Sequence, residues 1–196
     1  MKKYFGLLLT IVLLLACAAA AAADAPLDTD HFPDDAFREY VAQFDYSGDG
    51  ILQDDEIATV EGMDCSNLGI TSLEGIRYFT GLVGIECSNN KITKVDFSQN
   101  KHLAIVSIYS NQLKELTVSN NSNLVELRCS NNQLTSVKLP NSKNMHILDT
   151  SGNNIKTLDI SKAPILIDLV KKVKPTDYIY WDGGYAINWV IDTPEK

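Results

Sequence analysis

The chain of 196 residues is poor in several residue types on which whole functional classes depend. It has 17 basic and 25 acidic residues, which give a net charge of −8. A surface of this charge repels phosphate, so nucleic-acid binding is not expected. Only three histidines occur, and no serine or cysteine stands in a nucleophile motif. We therefore predict that the protein is not an enzyme.

Cysteine is also scarce. Of the four cysteines, three occupy the same place in a repeated sequence unit, and this odd number argues against a disulfide framework. Cys65 and Cys87 fall in neighbouring units, close enough for a bridge, whereas Cys129 lies two units further along. We predict that all three pack in the core as small apolar side chains.

The chain has one strongly apolar N-terminal run, Leu7 to Ala16, which follows Lys2 and Lys3. Residues 1–23 are predicted to be an export signal, because the run is too short to span a membrane and remain there. Three alanines before Asp24 suit ordinary cleavage and secretion. The sequence Leu-Leu-Ala-Cys ending at Cys17 resembles a lipoprotein box, and a lipid on Cys17 would hold the protein at a cell surface instead.

The sequence contains one repeated unit, which occurs five times between residues 60 and 165. One unit of 22 residues is followed by four of 21, for example LVELRCSNNQLTSVKLPNSKN at 124–144. Within it Leu127 and Cys129 alternate with Glu126 and Arg128, which predicts a short strand with one apolar face. Such a face becomes buried only when units stack in parallel, so residues 60–172 are predicted to form an α/β solenoid of right-handed leucine-rich repeats.

An asparagine follows the strand in every unit except the first, where Leu68 takes its place. We predict that these asparagines form a structural ladder, in which each amide satisfies backbone groups where the chain turns away. The return limb of each unit is predicted to be extended or a single helical turn. The ladder residues are Asn90, Asn111, Asn132 and Asn153.

Residues 24–59 are predicted to be a helical cap over the first repeat. Pro33, Asp34 and Asp35 favour a helix start, and an apolar stripe follows at helical spacing. The next twelve residues have the spacing of an EF-hand Ca²⁺ loop, in which a tight turn lets alternate oxygens converge on a hard cation. The alternative is a degenerate loop that serves only as a cap. The predicted calcium ligands are Asp45, Ser47, Asp49, Ile51 through its carbonyl, Gln53 and Glu56.

At the other end, residues 166–169 resemble the start of a sixth strand, after which the repeat pattern fails. Residues 173–196 are predicted to form a hairpin cap around Asp182-Gly183-Gly184. Its aromatic residues would cover the last repeat, or would offer a platform for sugar rings.

The outward strand positions form the concave face, which such solenoids generally use for binding. Ile105, Tyr109 and Ile147 are predicted apolar anchors, with Arg128 as a charged contact. The predicted partner-binding residues are Asp64, Glu86, Ile105, Ser107, Tyr109, Glu126, Arg128, Ile147 and Asp149.

The order of an export signal, the helix FPDDAFREYV, the loop DYSGDGILQDDE and repeats such as ITSLEGIRYFTGL and CSNNQLTSV resembles bacterial surface leucine-rich repeat proteins of the internalin-like kind. The helical cap of those proteins is related to an EF-hand. The resemblance implies cell-surface binding of a protein, with calcium stabilising the cap. Binding of glycan or cell wall through the aromatic hairpin, and a purely structural role, are the alternatives. Units of 21 residues differ from those of internalins proper, so the resemblance identifies no host ligand.

Overall fold

The computed structural model describes residues 24–172 and 188–190. The predicted export signal with Cys17 and most of the predicted C-terminal hairpin lie outside these residues. In the part of the chain that is described, no helix is long and apolar enough to cross a membrane.

The cap contains two short helices and a small antiparallel pairing. Strands β1 (Ala25–Pro26) and β2 (Ile51–Leu52) pair with each other, and helices α1 (Asp35–Val41) and α2 (Asp54–Ala58) stand on either side of the loop. Asp34 caps α1 by accepting a hydrogen bond from the N–H of Phe37, as expected of an aspartate before a first turn. Phe37 and Val41 on the predicted stripe are buried.

Each repeat contributes one strand to a five-stranded parallel sheet. The strands lie side by side in chain order, with Met63 opposite Ile85, then Val106, Leu127 and Leu148. These five apolar side chains are buried, so stacking creates the core that no single repeat could form. The predicted solenoid is confirmed. The strands are β3 (Gly62–Asp64), β4 (Gly84–Glu86), β6 (Ile105–Ser107), β8 (Glu126–Arg128) and β9 (Ile147–Asp149).

The return limbs form smaller, two-stranded sheets on the other side of the core. Strands β5 (Lys94–Asp96) and β7 (Glu115–Thr117) pair in parallel, and β10 (Thr157–Asp159) pairs in parallel with β11 (Asn188–Val190). The first repeat has instead a 3₁₀ turn at Ile76–Tyr78. Both predicted forms of the limb, extended and single-turn, are therefore present.

One core runs from the cap into the repeats. The ring of Phe32 lies 6.1 Å from that of Phe37 in the cap and 6.5 Å from that of Phe79 in the first repeat, measured between ring centroids. Gly75 packs beneath Phe32 with a φ of 102°, and a Cβ there would lie 2.3 Å from a ring carbon of Phe32. The cap thus covers the end of the solenoid that the first repeat would otherwise expose.

The predicted sixth strand at residues 166–169 is wrong. Those residues belong to helix α3 (Pro164–Lys172), in which Leu166 is buried and Ile165 is exposed. Pro164 begins the helix because its fixed φ suits the first turn, where its missing N–H costs nothing.

A left-handed residue follows each main strand, a feature that the repeat pattern did not lead us to predict. Its φ lies between 53° and 63° in all five repeats, a region that asparagine tolerates better than most residues and glycine freely. This explains why another asparagine precedes two of the four ladder asparagines and a glycine precedes a third. The five positions are Asn67, Asn89, Ser110, Asn131 and Gly152.

Candidate functional site

The outward side chains of the five-stranded sheet form what we call the strand face, which is the concave face of the prediction. The register places Asp64, Glu86, Ser107, Arg128 and Asp149 side by side in one row. A second row contains Gly62, Gly84, Ile105, Glu126 and Ile147. The sheet therefore brings together eight of the nine predicted partner-binding residues, and Tyr109 follows two positions after Ser107.

Solvent reaches these positions unequally. Asp64 and Arg128 are exposed, whereas Glu86, Tyr109, Ile147 and Asp149 are half-buried. Only 4% of Ile105, 4% of Ser107 and 8% of Glu126 is accessible. The exposure predicted for Ile105 as an apolar anchor is therefore wrong, because each residue of a central strand is flanked on both sides by strands about 4.8 Å away. Tyr109 and Ile147 remain the apolar groups that a partner could reach.

The charged groups of the strand face are held by short local contacts. One carboxylate oxygen of Asp64 accepts a hydrogen bond from Ser66 Oγ at 2.5 Å, and Asp149 accepts one from Ser151 Oγ at 2.6 Å. Glu86 is bound in the same way by Ser88. Because each acid is fixed by a serine two residues later, its carboxylate loses little further freedom on binding a partner.

Arg128 is the single cation in the rows of the strand face, and its guanidinium pairs with the carboxylate of Glu126. The arginine side chain is 44% accessible and the glutamate 11% accessible. The pair thus presents the arginine outward while satisfying the buried glutamate. With Asp64, Glu86 and Asp149 on either side, the face has a cation in the middle of an acidic surround.

The asparagine ladder lies at one edge of the strand face and has a structural role. Asn111 donates through Nδ2 to the carbonyls of Cys87, Ile108 and Tyr109, and its Oδ1 accepts from the N–H of Ile92. Asn90, Asn132 and Asn153 repeat this arrangement one rung apart. These amides are occupied by backbone groups, which confirms the predicted ladder.

The three cysteines of the described chain are buried and free, as the core-packing prediction required. Burial raises the pKa of Cys129, and burial together with its neighbour Cys65 raises the pKa of Cys87. Neutral thiols at these positions behave as small apolar side chains.

The predicted calcium loop folds around the carboxylate of Asp45. Its Oδ2 accepts from the N–H of Gly50 at 2.9 Å, and its Oδ1 accepts from the N–H of Gly48 at 2.7 Å and from Ser47 Oγ at 3.1 Å. The hydrogen bond from Gly50 is the main reason that the pKa of Asp45 is lowered. The carboxylate is therefore ionised and points to the inside of the turn, as the first ligand of such a loop requires.

Glu56 closes the loop from the other end. Its Oε1 accepts from the N–H of Ser47 at 2.9 Å, and its Oε2 accepts from the N–H of Gln53 at 3.0 Å, which completes a capping box on α2. Asp49 accepts from the N–H of Ile51 and from Gln53 Nε2. The six predicted ligands thus belong to one hydrogen-bonded turn.

The oxygens of this turn suit a hard cation in kind. Each oxygen of Glu56 and Asp49, and Oδ2 of Asp45, accepts one hydrogen bond and keeps a second acceptor site. Across residues 24–172, however, no three His, Cys, Asp or Glu side chains are gathered closely enough to hold a metal ion. An ion in the loop would therefore require the carboxylates to move closer together.

The parallel solenoid, the asparagine ladder and the cap define a leucine-rich repeat protein. No family model matches the sequence. The chain is 39% identical over 72 residues to internalin J of Listeria monocytogenes serotype 4b, a match that covers 36% of this chain and 8% of that protein. The chain thus spans a small part of the length of the relative that it matches.

Solved structures show the same fold over more of the chain. The functional domain of InlJ from Listeria monocytogenes, described as including a cysteine ladder, is 31% identical with a TM-score of 0.67 and covers 76% of this chain and 33% of that structure. The internalin InlF of the same species is 18% identical with a TM-score of 0.54, over 72% of this chain and 53% of its own. The chain is homologous to internalin J and has the internalin-like leucine-rich repeat fold, which confirms the resemblance seen in the sequence.

Proposed function

We propose that this protein is a non-enzymatic binding module that recognises a protein partner on the strand face, at the cell surface or after secretion. The observation that supports this most directly is the row of ordered charges around Arg128, with Tyr109 and Ile147 accessible beside it. Arginine and tyrosine are the residue types that most often dominate protein interfaces. The similarity to internalins supports a surface location, whether the chain is released after Ala23 or anchored by a lipid on Cys17.

The small number of accessible groups on the strand face limits its affinity for a partner. Its acidic surround and single arginine suit a partner segment with basic groups around one carboxylate, because like charges brought face to face oppose association. Only two apolar groups are accessible. We therefore expect an affinity in the micromolar range, about −8 kcal/mol, rather than a tight complex.

Calcium in the loop from Asp45 to Glu56 is part of the same proposal. An ion there would join α1 and α2 and so stabilise the cap over the first repeat. Asp45, Asp49 and Glu56 would supply the charged ligands and Ser47, Ile51 and Gln53 the neutral ones. The support is the hydrogen-bonded turn that already directs the carboxylates of Asp45 and Glu56 inward.

The test of the binding proposal uses the full mature chain. Proteins captured from its natural surroundings are identified and purified, and their affinity is measured for the wild type and for the double variant Tyr109→Ala with Arg128→Ala. We expect that variant to bind about tenfold more weakly or worse. The matched control is Tyr46→Ala with Lys138→Ala, which removes an exposed tyrosine and an exposed cation elsewhere.

Equal weakening of both double variants, or no weakening of the first, would refute binding at the strand face. The glycan alternative depends on Trp181 and Trp189, which are the two tryptophans of the predicted C-terminal hairpin. It predicts instead that isolated cell-wall polysaccharide alters the tryptophan fluorescence of the chain. A change of that kind, with the affinity for captured proteins insensitive to Tyr109 and Arg128, would favour the glycan alternative.

A further inference from the structure

The first repeat leaves the stack on the return side, where the second, third and fifth repeats form strands. Asp34 Oδ2 in the cap accepts the N–H groups of Thr71 at 2.8 Å and of Ser72 at 3.2 Å. The chain then passes through Gly75, with its φ of 102°, into the 3₁₀ turn. As a result the first repeat supplies no strand beside β5.

The backbone hydrogen bonds show the consequence. Between the second and third repeats the N–H of Gln112 binds the carbonyl of Ile92, that of Lys114 binds Thr93, and β5 and β7 then pair along their length. Between the first and second repeats the return limbs share one such bond, from the N–H of Lys91 to the carbonyl of Ile70. The pairing stops there within the described residues.

The unpaired groups belong to β5. Phe97 donates its N–H to the carbonyl of Thr117 in the third repeat. Since successive peptide groups of a strand point to opposite sides, the N–H groups of Lys94 and Asp96 point to the first repeat. In residues 24–172 neither N–H has a hydrogen-bond acceptor, and both residues are exposed.

A groove of about 450 Å³ adjoins this edge. Leu73, Gly75 and Ile76 of the first repeat line it together with Val95 of β5, and Glu74 and Arg77 line it as an ion pair. The groove therefore combines free backbone donors with apolar side chains in its lining, which is the arrangement that receives an added strand.

We propose that the edge of β5 is a second binding site, which takes an extended peptide segment of a partner protein by strand addition parallel to β5. The segment's backbone continues the β5–β7 sheet, with its carbonyls accepting from Lys94 and Asp96. The charges of β5 determine the sequence of the bound segment, because side chains on neighbouring strands interact directly. An acidic residue of the segment lies beside Lys94, and a basic residue two positions later lies beside Asp96. The residue between them points with Val95 toward Leu73 and is apolar.

This site lies on the return limbs, whereas the strand face lies on the five-stranded sheet, so the two proposals can fail separately. The partner is defined by chemistry alone, as a strand of the pattern acidic, apolar, basic. A second copy of the chain is the competing occupant of this edge. Measuring the mass of the chain in solution distinguishes self-association from binding of a partner peptide.

The test uses the full mature chain and two labelled synthetic peptides, TVEVKVT and its charge-exchanged form TVKVEVT. Fluorescence anisotropy measures their affinities, and hydrogen exchange measures protection of the amides at 94–96. We expect the first peptide to bind about fivefold more tightly and to protect those amides. Lys94→Glu with Asp96→Lys should reverse the preference, and Arg128→Ala should leave it unchanged.

Lys94→Pro removes one edge donor at a position where a strand tolerates proline, and it should abolish peptide binding. The proposal is overturned if both peptides bind equally or not at all, or if the amides at 94–96 are already protected in the free chain. Self-association of the wild type that is lost in Lys94→Pro would assign the edge to a second copy and would equally overturn it. If Lys94→Pro does not fold, the double variant Lys94→Glu with Asp96→Lys, measured with both peptides, still tests the proposal.

Discussion

The carboxylate of Asp34 accepts a hydrogen bond from the backbone N–H of Thr71 over 2.8 Å, and it thereby ties the start of helix α1 to the first repeat. The same side chain accepts from the N–H of Phe37 within its own helix and from Thr71 Oγ1. One aspartate thus both caps the helix and docks the cap on the solenoid. The cap and the repeats should therefore unfold together.

Asp34→Ala should lower the free energy of unfolding by about 2 kcal/mol, since it removes a helix cap and the hydrogen bonds to Thr71 and Ser72. Urea unfolding followed by circular dichroism measures the loss. The control is Asp35→Ala, because the side chain of Asp35 is 89% accessible and its contact is an ion pair with Arg38. Surface pairs of that kind contribute little, so the control should lose less than about 1 kcal/mol. Equal losses would show that Asp34 does not join the two parts.

The stability should also fall in acid, in part through Asp34. Burial acts to raise the pKa of Asp34, but the hydrogen bonds from Thr71, Phe37 and Ser72 outweigh it and hold this pKa below its ordinary value of 3.8. A lowered folded pKa stabilises the native state above 3.8, and that contribution disappears as the pH falls through the folded pKa. The difference in unfolding free energy between wild type and Asp34→Ala should therefore be constant at neutral pH and should shrink below about pH 4. A difference that grows in acid would contradict this assignment.

The repeat pattern predicted the stacked solenoid because it shows both the length of the repeat and an apolar strand face that only stacking can bury. Leu127 and Cys129 alternate with polar residues in a strand too short to bury its own apolar face, so neighbouring units had to supply the cover. The ladder asparagines were predicted for the same reason, as each rung leaves backbone groups that only a polar inward side chain can satisfy.

Other features depend on three-dimensional neighbours that the pattern does not specify. Residues 166–169 were predicted to be a strand because they continue the repeat pattern, but a short apolar run does not distinguish strand from helix. Ile105 points outward as its position predicts, but its accessibility depends on the flanking strands. The free edge of β5 arises because Asp34, far away in sequence, holds the first repeat in a different path.

The asparagine ladder should be sensitive to single substitutions. Asn111→Ala leaves the carbonyls of Ile108 and Cys87 and the N–H of Ile92 without this partner in a buried setting, so the free energy of unfolding should fall by about 2 to 4 kcal/mol. Denaturant unfolding at fixed pH measures it. Asn120→Ala is the control, since Asn120 is exposed, and its variant should stay within about 0.5 kcal/mol of wild type. A loss of under 1 kcal/mol for Asn111→Ala would mean that water replaces the amide.

Gly75 and Gly69 separate backbone strain from steric conflict. Both have positive φ, at 102° and 77°, but a Cβ at Gly69 meets nothing within 4 Å, whereas one at Gly75 would lie 2.3 Å from the ring of Phe32. Gly69→Ala should cost about 1 kcal/mol from strain alone, and Gly75→Ala about 3 kcal/mol or more because the ring must move. Thermal unfolding of both variants tests the difference. Equal costs would show that Phe32 does not pack against this turn.

Calcium should raise the stability of the cap if the loop binds it. With a dissociation constant of about 10⁻⁴ to 10⁻³ M, about 10 mM Ca²⁺ adds roughly 1 to 3 kcal/mol to the free energy of unfolding. Glu56→Gln should remove most of that increment, because a glutamine keeps the capping box on α2 but loses the charged ligand. Asp55→Asn is the matched control, as it removes a neighbouring charge that is not a predicted ligand. Unfolding curves with Ca²⁺ and with a chelator measure this increment in stability. If wild type shows no increment, or if Glu56→Gln shows the same increment as wild type, the alternative that the loop is a metal-free cap is favoured.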